Sequence, residues 1–488
     1  MSITAATGYC RVTVVAPDSR IDVALPEDVP LADVYPEILR LSGQTQATGE
    51  PTGFHLVRRD GTVLDAGMTL AAQRVLDGEL LALRPFADSL PPAVYDDVAD
   101  AIASAVDRDR SRWSDDLMRV AGLVGGVLLL VMMGLVLWYG DPVGHDMHGL
   151  PGIVAGSTGV VLVALSGVRA RVYDDRASAL ALGLGALPHL LLAGSGVLAP
   201  DAGEGPGRLQ FLTGCVAVLV ASVLLIALTP RGDSAFVAAA FVSTAGTLAT
   251  FGAIVTDSRP SDAAAVTAVT AIAFVAFLPG WSARFARLPI GFRSPEELAR
   301  EEEHGTDPRT DDEPIDFQRI AAQARRGHEL LLGLVGGCSA VVVGSGTVLG
   351  FSESTLPELL ALAVGVAALL RARLFRYTVQ VACLLVSGIV TISLLLLGLA
   401  LNPPYEVVRA ITQDTGSAAD IRLLWLSGCV AAGAAVLVAV ALIVPRRGVS
   451  PFWGRALDLA DALVLLSLVP LCLAVLDVYA EARGMTSG

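Results

Sequence analysis

The chain has 488 residues, 53% of them hydrophobic, with a formal charge of −14. Its mean hydropathy of +0.63 excludes an ordinary soluble protein, because apolar runs of about 20 residues recur along it and read as transmembrane helices. The acidic balance argues against nucleic acid, and all 34 basic residues are arginine, so no P-loop lysine or Schiff-base amine is available and ATP-driven work falls to a partner.

Residues 1–86 are predicted to form a soluble α+β domain. "YCRVTVVAP" and "SRIDVALP" alternate with period two across the turn residues "APDSR". "PLADVYPEILRLSG" sets Leu31, Val34, Ile38 and Leu41 on one helical face and ends at Gly43. "GFHLVRRDGTVLD" reads as a strand, a DG turn and a second short strand. "TLAAQRVLDGELLALRP" adds a short helical turn, another DG and a closing strand. This ββαββ order resembles the ubiquitin-like β-grasp fold, chiefly through its "TL…DG…L-x-L-R" ending. With no lysine and no Gly-Gly after Arg84, protein docking is its expected use rather than conjugation.

Residues 87–117 form a tether. A Pro-Pro break precedes a predicted helix with Val94, Val98, Ala101, Ile102 and Val106 on one face and acidic residues on the other, either a solvated connector or a partner-binding helix. Arg108, Arg110, Arg112, Trp113 and Arg119 then stand as a candidate membrane anchor and partner contact. The first apolar run starts near 118, too deep for a cleavable signal peptide.

Eleven spans are expected, six within 118–280 and five within 329–488, separated by a cytoplasmic segment over 281–328. That segment runs from a basic aromatic start through an acidic centre to a helix feeding span 7, and reads as a flexible loop or a second docking surface. Arginine crowds the loops of one side ("RARVYDDR", "PRGD", "RARLFRYT", "PRRGVSPFWGR"), which sets the N-terminus in the cytoplasm and the C-terminus outside. Three fragment pairs recur in unchanged order at similar separation: "GLVGG" at 122–126 and 333–337, "RARVY" at 169–173 and "RARLF" at 371–375, "RGDSAF" at 231–236 and "RGVSPF" at 447–452. Spans 1–5 thus read as duplicated in spans 7–11, two parallel five-helix repeats with the sixth span as linker.

Chemistry-bearing residues are sparse in the spans, where transporters and intramembrane enzymes need buried ionisable groups. His189, after Pro188, reads as a buried histidine bonded to a neighbouring helix. His145, Asp146 and His148 in "GHDMHG" lack a fourth ligand and make a weak metal candidate. Asp458 and Asp461 are expected to pair locally with Arg446, Arg447 and Arg455. The six cysteines contain no CxxC pair and read as small structural hydrophobes. No catalytic, cofactor or metal site is expected. Gly122, Gly126, Gly333 and Gly337 are candidate helix-packing positions, as are Gly152/Gly156 and Gly346/Gly350, and together they suit a tight bundle and a homodimer.

A ubiquitin-like domain followed by eleven spans resembles the EccD family, the inner-membrane component of actinobacterial type VII (ESX) secretion systems. The resemblance is most specific in the domain order, in "LRARLFRYTVQ" and in "RRGVSPFWGRALDLADALVLLSLVP". It implies a non-catalytic scaffold in the bacterial inner membrane. That scaffold would assemble with EccB, EccC and EccE, pair into a lipid-filled vestibule, and leave ATP hydrolysis to EccC. The rival readings are a secondary transporter of the major-facilitator type, which shares parallel halves and a long central loop, and a membrane-embedded lipid-modifying enzyme.

Overall fold

The computed structural model describes residues 8–17, 19–44, 53–85, 113–201, 205–229, 232–288, 317–412, 417–447 and 450–486. Two compact units emerge, residues 1–113 and 114–488. Residues 87–112 of the tether, with Arg108, Arg110 and Arg112, lie outside the described residues, as does 289–316 of the central segment.

The first unit contains β1 (Tyr9–Val15), β2 (Arg20–Pro26), α1 (Leu31–Leu41), β3 (Phe54–Arg58) and β4 (Glu79–Pro85). The sheet order is β2-β1-β4-β3, with β4 parallel to β1 and the outer pairs antiparallel. This is the ubiquitin-like β-grasp arrangement. Alternate residues Cys10, Val12 and Val14 of β1 point inward with Leu56, Leu81 and Leu83, against Leu31 and Ile38 of α1. Both DG pairs turn as their sequence requires, since Gly61 and Gly78 adopt φ +88° and +84°, where a side chain would be strained. The expected strand after Gly61 shrinks to one bridge, Val57 to Val63, and the expected helical turn before β4 is an irregular turn.

Leu41 departs from the expected buried face and is 46% exposed, while Tyr35, off that face, packs against the core. The Tyr35 hydroxyl accepts the Leu56 N–H of edge strand β3 at 2.9 Å. Burial pushes that hydroxyl above its ordinary value. The neutral form is therefore favoured in the fold, and its contribution is complete below about pH 10 and lost as pH rises through the raised value. Tyr35→Phe is expected to destabilise this unit by about 1–3 kcal/mol, the cost of stranding a buried donor, and to blunt its alkaline unfolding; thermal melts across pH 8–12 read both effects.

The second unit is helical: α2 (Asp115–Trp138), α3 (Leu150–Arg171), α4 (Arg176–Ser195), α5 (Arg208–Leu228), α6 (Ser234–Val255), α7 (Pro260–Val275), α8 (Leu278–Phe285), α9 (Phe317–Gly350), α10 (Thr355–Arg371), α11 (Thr378–Leu401), α12 (Tyr405–Thr412), α13 (Ser417–Arg447), α14 (Pro451–Val475) and α15 (Val478–Thr486). Among the described residues ten helices are long and apolar enough to cross a membrane, and α7 with α8, bent by 66°, makes an eleventh if the pair is one span. At 34 residues, α9 extends about 50 Å, well beyond a hydrocarbon core of about 30 Å.

Within the first group α4 is central, packing against α2, α3 and α5, and α5 continues onto α6. In the second group α9 packs against α7, α10 and α11, and it also meets α6, which joins the groups. The first fragment pair lies on α2 and α9, the second at the ends of α3 and α10, and the third runs into α6 and α14; in the trios α2–α4 and α9–α11 the first and second helices pack against the third. The equivalence ends there. Whereas α5 is gripped by α4 and α6, the main contacts of α13 among the described residues are with α12 and an edge of α11.

The sixth span is more than a linker. Ala264, Ala265, Ala268 and Ala271 give α7 a side-chain-poor face that fits among α9, α10 and α14, in one core with Val342, Leu360, Val364 and Leu468.

Candidate functional site

His189 is fully buried in α4, and its Nδ1 lies 2.9 Å from Gly185 O one turn back, not on a neighbouring helix as expected. Nε2 has no partner. His145 stacks on Trp138 at 4.8 Å with Nδ1 3.0 Å from Trp138 O. His148 Nδ1 lies 2.9 Å from Gly196 O. Both rings thereby pin the α2–α3 loop to helix ends. No three His, Cys, Asp or Glu groups converge as a metal site among the described residues. Four cysteines are buried, Cys383 is half-buried, and Cys429 is exposed on α13.

Arginines close the helix ends. Asp175, the N-cap of α4, accepts the Ser178 N–H at 3.2 Å and pairs with Arg119 of α2 and with Arg169 of α3 at 3.9 Å. The Ser178 hydrogen bonds, then the two guanidinium groups, hold this carboxyl below its ordinary range. Arg171 donates to Leu228 O and Ala227 O at 2.9 and 2.5 Å, satisfying the carbonyl end of α5. Asp233, the fully buried N-cap of α6, receives both Nη atoms of Arg326 at 2.6 and 3.0 Å. The sequence reading named neither residue of that pair.

Among the described residues Asp458 and Asp461 pair with the end of α10 and not with Arg455, while the side chains of Arg446 and Arg447 lie outside the described residues. Arg373 reaches Asp458 at 2.8 Å and Arg371 stands 3.7 Å from Asp461. The "RARLF" fragment ending α10 thus clamps "RALDLAD" at the start of α14. At the opposite helix ends Arg208 pairs with Asp257 at 3.0 Å, and Arg259 bridges Asp262 and Asp477 at 3.1 and 2.8 Å. Each of these contacts joins two residues that the arginine pattern assigns to one side of the membrane.

The candidate anchor and packing residues separate into groups. Trp113 is 67% exposed, while Arg119 is engaged by Asp175. A Cβ on Gly333 would lie 2.6 Å from Ser234 O, and one on Gly337 2.8 Å from Phe241 Cβ, so both glycines let α9 approach α6 closely. A Cβ on Gly122 or Gly126 would meet nothing within 4 Å among the described residues. The cause is that α2 meets the bundle lower down, burying only Gly134. Among the described spans α2 and α13 are the least covered, with 6% and none of their most apolar stretch buried.

These features define a polytopic α-helical membrane protein carrying a ubiquitin-like module. Residues 118–485 match the EccD-like transmembrane domain, and the chain belongs to that family. Residues 9–83 match a second family, the YukD protein of the WXG100 protein secretion system. In Mycobacterium tuberculosis (strain ATCC 25618 / H37Rv), the ESX-4 secretion system protein eccD4 is 27% identical over 98% of this chain and 97% of its own length. The ESX-3 secretion system protein EccD3 of the same strain is 26% identical over 48% of this chain and 50% of its own length. Protomer 1 of the ESX-3 core complex shares the fold at TM-score 0.60 and 18% identity, covering 97% of this chain and 100% of that one. A chain of the MycP5-free ESX-5 inner membrane complex matches at TM-score 0.50 and 22% identity, covering 87% and 99%.

Proposed function

We propose that this chain, by family an inner-membrane subunit of type VII secretion, is a structural and docking subunit that performs no chemistry of its own. The observation that carries the reading is the combination in one polypeptide of an EccD-like membrane region with a separately packed YukD-like module. The module and tether, residues 1–117, act as a cytoplasmic platform for the ATPase EccC, and EccB and EccE complete the assembly. The apolar faces left uncovered on α2 and α13 receive a second copy, neighbouring subunits and lipid. The N-terminus is cytoplasmic and the C-terminus lies outside, which the arginine-rich loops favour.

Deleting residues 1–86 and purifying the assembled complex tests the docking role. Loss of the ATPase partner from an otherwise membrane-inserted complex is the expected result, and undiminished recovery would refute it. Substrate-dependent flux by the isolated chain in liposomes would instead favour the transporter reading.

A further inference from the structure

Two cavities adjoin at the ends of α3, α4 and α5. One of about 280 Å³ is lined by Arg171, Asp174, Arg176, Thr229 and Phe236, among others. The other, about 480 Å³, is lined by Arg119, Arg169, Tyr173, Asp174, Asp175 and Arg176. Asp174 and Arg176 line both. Four guanidinium groups therefore face two carboxylates. Arg171 is committed to the α5 carbonyls, and Arg119 and Arg169 share the single carboxylate of Asp175. Each guanidinium carries five N–H donors, so Arg119 and Arg169 keep several free. The Arg176 side chain makes no hydrogen bond or ion pair with any described residue, although it borders both cavities.

We propose that this arginine cluster binds the phosphodiester headgroup of an anionic membrane phospholipid. Excess positive charge beside a polar cavity suits a phosphate, which accepts several charge-assisted hydrogen bonds at once. The position selects a lipid over a free anion, because the cluster lies where the apolar spans end. Val172 and Tyr173 beside it are 72% and 64% exposed, and the Arg169 guanidinium stands 5.3 Å from the Tyr173 ring centre, an arginine–aromatic pairing suited to the headgroup layer. Directly along from it, Val120, Val124 and Leu128 of α2 and Val161, Leu165 and Val168 of α3 are exposed and provide a track for acyl chains. Basic pockets between spans at the membrane surface take anionic headgroups by this logic. The inference requires only that the chain spans a membrane and is independent of the docking role.

The test titrates phosphatidylglycerol, phosphatidylcholine or inorganic phosphate into the full chain in neutral detergent and follows thermal unfolding. Phosphatidylglycerol is expected to raise the midpoint, with phosphatidylcholine and phosphate leaving it unchanged. Arg176→Gln breaks no bond in the structure, so it should fold normally and weaken phosphatidylglycerol binding about tenfold, as loss of one charge-assisted contact would. Arg483→Gln at the other end of the bundle should leave binding intact. Unaltered binding by Arg176→Gln, an equal loss with Arg483→Gln, or an equal response to phosphatidylcholine would each overturn the proposal. So would saturation by phosphate alone, or no response of the native chain to phosphatidylglycerol, as expected of a cluster that receives an acidic protein segment.

Discussion

Replacing Arg326 by alanine is expected to destabilise the membrane region by about 3–5 kcal/mol, the usual consequence of leaving a buried charge without its partner. Asp233 has no exposed surface as a residue, and its carboxylate takes both Nη atoms of Arg326 at 2.6 and 3.0 Å. That two-point contact fixes direction as well as distance. It joins the N-cap of α6, in the first group of helices, to the entry of α9 in the second. Losing it should loosen the place where the two groups meet, not one loop. Arg326→Lys keeps the charge but cannot form the fork, so an intermediate loss is expected. Replacing both residues, as Asp233→Leu with Arg326→Met, should be milder than Arg326→Ala alone, since no stranded charge remains. Heating each variant in mild detergent and measuring the monodisperse fraction ranks the four proteins. If Arg326→Ala melted with the native chain, the buried pair would have no structural weight.

That pair also marks where sequence reasoning stopped. Hydropathy located the spans because twenty or so apolar residues have few other uses, and period-two alternation with two DG turns located the sheet. The arginine pattern sorted helix ends onto two sides, and the interhelical contacts of Arg119, Arg208, Arg259, Arg326 and Arg373 agree with that sorting. Which carboxylate each arginine meets was not legible. Asp458 lies three residues from Arg455, so local pairing was the economical expectation, yet Arg373 reaches it across 85 residues of chain. One signal was available: "RARLF" and "RALDLAD" carry matching opposite charges, spaced to meet where two helix ends adjoin. For Asp233 the signal was weaker, because the corresponding position of "RGVSPF" is Val449. The repeat thus hid the difference between its copies. Tyr35 was missed for another reason: a tyrosine one position off the predicted apolar stripe gains value only from the edge strand that its hydroxyl happens to meet.

The repeated "GLVGG" motif supplies the second large effect, because its two copies are expected to respond oppositely. Gly333→Ala with Gly337→Ala puts a methyl 2.6 Å from the Ser234 carbonyl and 2.7 Å from Val237 Cβ at the first site, and 2.8 Å from Phe241 Cβ at the second. A backbone carbonyl cannot swing aside as a side-chain tip can, so α9 and α6 must separate. Overpacking of this kind costs about 1–3 kcal/mol per site, giving a loss comparable to that of Arg326→Ala. Gly122→Ala with Gly126→Ala meets nothing within 4 Å. Alanine also favours helix over glycine by about 1 kcal/mol per residue, so the isolated chain should melt no earlier and slightly later. The same melting measurement serves both pairs, and comparable losses from the two would show that α2 is packed through its glycines after all. Recovery of the assembled complex adds a further comparison. A Gly122/Gly126 variant that is stable alone but fails to assemble places that face of α2 against another chain, because no crowding inside its own bundle could account for the loss.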